Sequence, residues 1–215
     1  MLTCKALLFD LDGVLVDSAE CVEGTWRRWA LANQLDPDEV ISVAHGRRTI
    51  ETVRLVAPHL AAEDEVARLA AGESIRTEGV HEIPGARELL ASIPGPWGVV
   101  TSGIRSVATL RLRHTRLPAP PVLVCADEIT AGKPDPEGYL TAAAQLQVNP
   151  GDCIVVEDAL PGIEAARRAG MRTIAVLGTH PPGELLGAEV IVDSVASITA
   201  TLADGVMRID AIPSI

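Results

Sequence analysis

Asp10 and Asp12 stand one residue apart at the end of the apolar run Ala6-Leu7-Leu8-Phe9, just before Gly13. Such a run reads as a buried strand. A carboxylate at the edge of a low-dielectric core needs a partner, often a metal. Alternate residues of a strand share a face, and a turn at Gly13 would bring both acids to one ligand. One carboxylate could then attack or bind metal while the other handles a proton. For the pair alone, an Asp-Gly turn with two solvated acids is the plainer alternative.

Three more segments carry chemistry in the same setting. Thr101-Ser102-Gly103 follows Trp97-Gly98-Val99-Val100. A hydroxyl and free backbone N–H groups at a strand end can bind phosphate oxygens, although an ordinary polar turn looks the same. Lys133 precedes Pro134 in a chain with 16 arginines and two lysines. Its compact charge suits a place between two anions, a carboxylate and a phosphate; a solvated loop lysine is the alternative. Glu157-Asp158 follows Ile154-Val155-Val156. These acids supply the hard oxygen ligands that Mg²⁺ prefers, or cap a helix starting near Pro161, and the two roles are compatible.

The elements that must position these residues alternate. Leu7–Phe9, Trp97–Thr101, Val122–Cys125, Cys153–Val156 and Thr173–Leu177 read as buried parallel strands. Ala86–Ile93 and Ile163–Ala169 read as helices between them, the second stopped by Gly170. The pattern predicts an α/β fold, a doubly wound parallel sheet with helices on both faces. Ligands bind such sheets beyond the carboxyl ends of the strands, where Asp10, Thr101 and Glu157 fall.

Between residues 18 and 82 the strand pattern disappears. Asp17 and Glu20 have capping-box spacing, and Ala19, Val22, Trp26, Trp29 and Ala30 follow at helical intervals. Asp36-Pro37 reads as a second helix start. Ile50, Val53 and Val56 mark a third helix ended by Pro58, and Val66 and Leu69 a fourth. The predicted organisation is an α/β core over 1–17 and 83–215 with a helical insert over 18–82, joined by linkers near 13–18 and 80–85. Trp26, Trp29 and Cys21 are read as packing residues.

Bulk properties exclude several classes. A net charge of −11 opposes binding to nucleic acid or anionic membranes. Cys4, Cys21, Cys125 and Cys153 lack CxxC spacing, so neither a zinc site nor a disulfide framework is expected. No run reaches the ~18 residues of a membrane span, and the start of the chain lacks a signal-peptide h-region. A soluble, cytoplasmic monomer is the expectation.

Together, Asp10-Leu11-Asp12-Gly13, Thr101, Lys133-Pro134 and Glu157-Asp158 resemble the four signatures of the haloacid dehalogenase superfamily, in order over about residues 5–180. The insert is similar to the helical cap of the subfamily holding β-phosphoglucomutase and small sugar phosphatases. The resemblance implies that Asp10 is the nucleophile forming an aspartyl-phosphate and Asp12 the general acid and base. It implies Mg²⁺ held by Asp10, the carbonyl of Asp12 and Asp158, with Glu157 in or near its shell. Thr101, Ser102 and Lys133 would bind the phosphoryl group.

Asp12 distinguishes the chain from dehalogenase relatives, whose halide leaving group needs no proton. The insert holds no lysine for a phosphonate-type Schiff base. Val22 stands where β-phosphoglucomutase carries a cap histidine, which disfavours a mutase. The segment Ala44-His45-Gly46-Arg47-Arg48-Thr49 looks most like phosphatases of 2-deoxyglucose 6-phosphate, other sugar phosphates and glycerol phosphate. His45, Arg47 and Arg48 are therefore candidate substrate contacts, with packing or solvated roles as alternatives. The expected activity is Mg²⁺-dependent hydrolysis of a small sugar or polyol phosphate. Phosphoglycolate phosphatase, hexose-phosphate mutase and a non-catalytic sugar-phosphate regulator are the alternatives.

Overall fold

A computed structural model describes residues 1–44, 46–178, 185, 187–203 and 205–214. Its centre is a six-stranded parallel sheet built from β2 (Ala6–Phe9), β5 (Trp97–Val100), β6 (Val122–Val124), β7 (Cys153–Glu157), β8 (Arg172–Val176) and β9 (Val190–Val192). The spatial order is β6-β5-β2-β7-β8-β9. The winding reverses at β2, whose neighbours are β5 on one side and β7 on the other. Crevices at the carboxyl ends of strands form at such reversals.

Alternation along the strands divides the core. Leu7 and Phe9 join the cluster on one face with Leu89, Leu90, Ala108 and Leu112 from α5 (Ala86–Ser92) and α6 (Arg105–His114). Ala6 and Leu8 point the other way. There they meet Tyr139, Ala142 and Ala143 of α7 (Glu137–Gln145) and Ala165 and Ala166 of α8 (Leu160–Arg168). With few aromatics available, small alanines let these helices approach the sheet closely. Phe9 and Trp97 meet edge to face at 6.3 Å.

Four helices lie between β2 and β5 in the chain: α1 (Ala19–Ala32), α2 (Pro37–Ala44), α3 (Thr49–Val56) and α4 (Ala62–Glu73). They bury a separate cluster of Trp26, Trp29, Ala30, Val40, Val53 and Leu69. Trp26 and Trp29 meet at right angles, 5.4 Å apart. The Trp29 indole donates to Glu65 Oε2 at 2.8 Å, which satisfies its buried N–H. Where the chain leaves and returns, β3 (Val16–Asp17) pairs antiparallel with β4 (His81–Glu82).

The helix starts differ in detail from expectation. Helix α1 begins at Ala19 with Ser18 as N-cap, and the Ser18 hydroxyl donates to Asp12 Oδ1 at 2.7 Å instead of capping. Asp17 Oδ1 accepts from Ala19 N at 3.2 Å. A second sheet was not expected from the sequence: β1 (Leu2–Cys4) pairs with β11 (Val206–Ala211), which pairs with β10 (Ile198–Ala203). It packs Ile198, Met207 and Ile209 onto the α5 face.

All four cysteines are free and buried. Burial pushes the thiols of Cys4 and Cys153 up to about 11 and that of Cys125 up to about 12. Among the described residues, no helix is long and apolar enough to cross a membrane.

Candidate active site

Parallel registry delivers the acids to one place. Phe9 pairs with Val99 in β5 and with Val156 in β7. Asp10, Thr101 and Glu157 thus leave or end adjacent strands at the same level. Asp10, Glu157 and Asp158 are all buried, and each offers an oxygen within 4.8 Å of the others.

Lys133 enters this cluster from the loop before α7. Its ammonium donates to Asp10 Oδ1, to Glu157 Oε1 at 2.6 Å and to the Val100 carbonyl at 3.3 Å. Burial opposes that charge, but Asp10 and Glu157 outweigh it and hold the lysine well above its ordinary range. Burial, with Glu157 and Asp12 nearby, pushes the Asp10 carboxyl up to about 7 while Lys133 opposes the rise.

Both oxygens of Glu157 already accept hydrogen bonds. Oε1 takes Lys133 and the Tyr139 hydroxyl, the latter at 2.9 Å. Oε2 takes the amides of Asp158 at 2.9 Å and Ala159 at 3.0 Å. Glu157 thereby anchors the lysine and shapes the turn that presents Asp158. Gly162 makes room, since a Cβ there would overlap Glu157 Oε1. Tyr139→Phe keeps the packing and removes one bond to this carboxylate. It should lower unfolding free energy by about 1.5–3 kcal/mol, the range for bonds to charged groups. Urea titration measures this, and an unmoved midpoint would show that Glu157 does not need the phenol.

The donor set suits a hard divalent cation. Asp10, Glu157 and Asp158 bring carboxylate oxygens together at one buried point, the donor type that an oxygen-seeking divalent ion takes. Asp158 comes close to Gly13, whose φ of +85° and missing Cβ allow the approach; a Cβ there would overlap Asp158 Oδ2.

Asp12 faces a different set of partners. Its Oδ2 lies 2.7 Å from Arg111 Nη1, and its Oδ1 accepts from Ser18. Arg111 is 5% exposed. Burial works against its charge, but Asp12 and Glu73 raise it above the ordinary arginine range. The sequence reading did not single out Arg111, although a signal exists. On α6 it shares the buried positions with Val107, Ala108 and Leu112, so a cation interrupts an apolar stripe.

Asp10, Asp12, Thr101, Ser102, Lys133, Glu157 and Asp158 all line one cavity. The helical insert closes it with Val22, Trp26, Ala44, Gly46, Arg47, Thr49 and Glu73. Thr101 Oγ1 accepts from Gly103 N at 3.0 Å, and Ser102 Oγ donates to the Gly46 carbonyl at 3.0 Å. Ser102 therefore ties core to insert as well as lining the cavity.

The three insert candidates separate. Arg47 lines the cavity. Arg48 turns away: it pairs with Glu51 at 2.7 Å and donates to the Ile129 carbonyl at 3.2 Å. Glu51 also accepts from Gly132 N at 3.2 Å. Arg48 thus fastens the insert to the loop carrying Lys133, because the Glu51 carboxylate and a free carbonyl offer it better partners than the cavity does. His45 lies outside the described residues.

Residues 7–176 match the family model described as haloacid dehalogenase-like hydrolase. Hexitol phosphatase A of Escherichia coli (strain K12) is 39% identical over 204 residues, covering 92% of this chain and 94% of that protein. Validoxylamine A 7'-phosphate phosphatase of Streptomyces hygroscopicus subsp. limoneus is 35% identical, covering 90% of this chain and 95% of its own length. A crystal structure of a hydrolase from Pseudomonas syringae superposes with a TM-score of 0.76 at 27% identity, covering 89% of this chain and 94% of that one.

Proposed function

The chain belongs to the haloacid dehalogenase-like hydrolases, and from that premise we propose that it is a Mg²⁺-dependent phosphomonoesterase acting on a small sugar or polyol phosphate. The observation that carries the reading is the convergence of Asp10, Asp158 and Lys133 at the mouth of adjacent strands, inside a cavity closed by the helical insert. We take residues 18–82 as a cap domain on the core formed by 1–17 and 83–215.

Asp10 attacks phosphorus, and the P–O bond to the alcohol breaks. Asp12 gives its proton to the departing oxygen. In the second half, Asp12 takes a proton from water, which attacks the aspartyl-phosphate, and inorganic phosphate leaves as Asp10 is restored. Lys133 and the Thr101-Ser102 turn hold the phosphoryl oxygens. Asp10, Asp158 and the main-chain carbonyl of Asp12 would hold Mg²⁺, with Glu157 orienting Asp158. The ion supplies charge neutralisation for an anionic nucleophile meeting an anionic ester. Ser18 and Arg111 orient Asp12.

The cavity walls favour a compact, hydroxylated body. Val22, Trp26 and Ala44 offer an apolar side, and Arg47 and Glu73 offer polar contacts. Val22 provides no proton relay of the kind a mutase would use, which tilts the transfer towards water.

Phosphate release over hexitol, glycerol, hexose, nucleotide and glycolate phosphates tests the reading. Hexitol or related polyol phosphates should turn over fastest with Mg²⁺. A chelator should abolish release and added Mg²⁺ restore it. Preference for nucleotides would overturn the substrate class, and chelator-resistant turnover would overturn the metal. Isomer interconversion with little phosphate release would identify a mutase.

A further inference from the structure

Glu73 is the last residue of α4 and lines the same cavity as the reacting acids. It is half-buried, and among the described residues its carboxylate accepts no hydrogen bond. Its charged surroundings are Arg111, which favours the carboxylate, and Asp12, which opposes it. Burial opposes it more strongly than either. Arg111 pairs with Asp12 through Nη1 and, among the described residues, makes no ion pair or hydrogen bond with Glu73.

The position is held. The hydroxyls of Ser74 and Ser106 lie 2.9 Å apart and tie the end of α4 to the start of α6. Arg111 lies on the buried side of that same helix, with Val107 and Ala108. Glu73 therefore stands over the space next to Asp12 rather than swinging out with the helix end. The adjoining walls include Val22, Trp26 and Val107, and among the described residues none of these three donates a hydrogen bond to it. A carboxylate with open acceptor positions in such a cavity needs donors from what the cavity binds.

We propose that Glu73 is a specificity-determining residue that accepts hydrogen bonds from hydroxyl groups on the body of the substrate. The same charge repels an ester carrying a carboxylate or a second phosphate. The site thereby selects neutral polyhydroxylated monophosphates over phosphoglycolate and bisphosphates. This deepens the phosphatase reading and rests on it.

The experiment compares wild type with Glu73→Gln, with Mg²⁺ present, on glucitol 6-phosphate, p-nitrophenyl phosphate and phosphoglycolate. Glutamine keeps size and removes charge. The ratio of kcat/KM for glucitol 6-phosphate to that for p-nitrophenyl phosphate should fall about tenfold or more, the scale of losing a charge-assisted hydrogen bond. Most of the loss should appear in KM. The disadvantage of phosphoglycolate relative to p-nitrophenyl phosphate should shrink. An unchanged ratio, or an equal loss on both esters, would overturn the role of Glu73. If wild type released phosphate from none of them, the phosphatase reading itself would fail. Calorimetric titration of glucitol 6-phosphate into both proteins would then decide separately: weaker binding by Glu73→Gln sustains the inference, and equal affinity overturns it.

Discussion

Asp10→Asn should reduce phosphate release by at least about 10⁴-fold, the scale on which losing a covalent nucleophile acts, while the protein stays folded. Asparagine has the same shape and leaves the strand end intact. It lacks the lone-pair charge needed to attack phosphorus. Its neutral amide also escapes the burial that pushes the Asp10 carboxyl up to about 7, so the variant should unfold at the same denaturant concentration as wild type or higher. The two measurements together separate chemistry from folding. If the cluster served only to hold a cation that activates water, Asp158 and Glu157 would remain and much activity would survive. Residual turnover within about tenfold of wild type would therefore sink the covalent route and the role given to Asp10.

Lys133→Met should be the most destabilising single change in the site. The Lys133 ammonium sits between Asp10 and Glu157, and its side chain is 7% exposed. Methionine fills similar space without charge. Two buried carboxylates then lose their shared counter-ion, and breaking a buried pair in this way costs about 3–5 kcal/mol. The loss should depend on pH. The Asp10 carboxyl is raised in the folded state above its unfolded value. Stability linked to it is thus fully present below about pH 4 and declines as pH rises through about 7. Lys133 opposes that rise, so removing it pushes Asp10 higher still. The deficit of Lys133→Met should be smaller at pH 5 than at pH 8. Urea unfolding at both values checks this. A deficit that is constant with pH would mean that the lysine acts through packing alone.

The parts of this molecule that were legible in the sequence share one property: their chemistry is adjacent to the element that positions it. Asp10, Thr101 and Glu157 each follow an apolar run, so strand and reactive group are read together. The parallel order then brings them into one plane without further information. The helices of the insert were readable from Pro37 and from the spacing of Ile50, Val53 and Val56. Other features depend on contacts between distant segments. Arg111 meets Asp12 across 99 positions of chain, and one arginine among 16 carries no mark unless its helical face is considered. Glu73 looks like an ordinary acid at a helix end. Arg48 looked equivalent to Arg47 until Glu51 and the Ile129 carbonyl gave it other partners. The pairing of β1 with β11 joins Leu2 to Ile209, although alternating burial along β10 and β11 is a period-two signal.

The four sealed thiols also give this protein an internal gauge of its own integrity. Cys4 and Cys153 lie in the packed strands and Cys125 directly after one, and their raised ionisation leaves almost no thiolate at neutral pH. Alkylation must therefore wait for the surrounding structure to open. Its rate under native conditions reports how often the core breathes, and no denaturant or added dye is required.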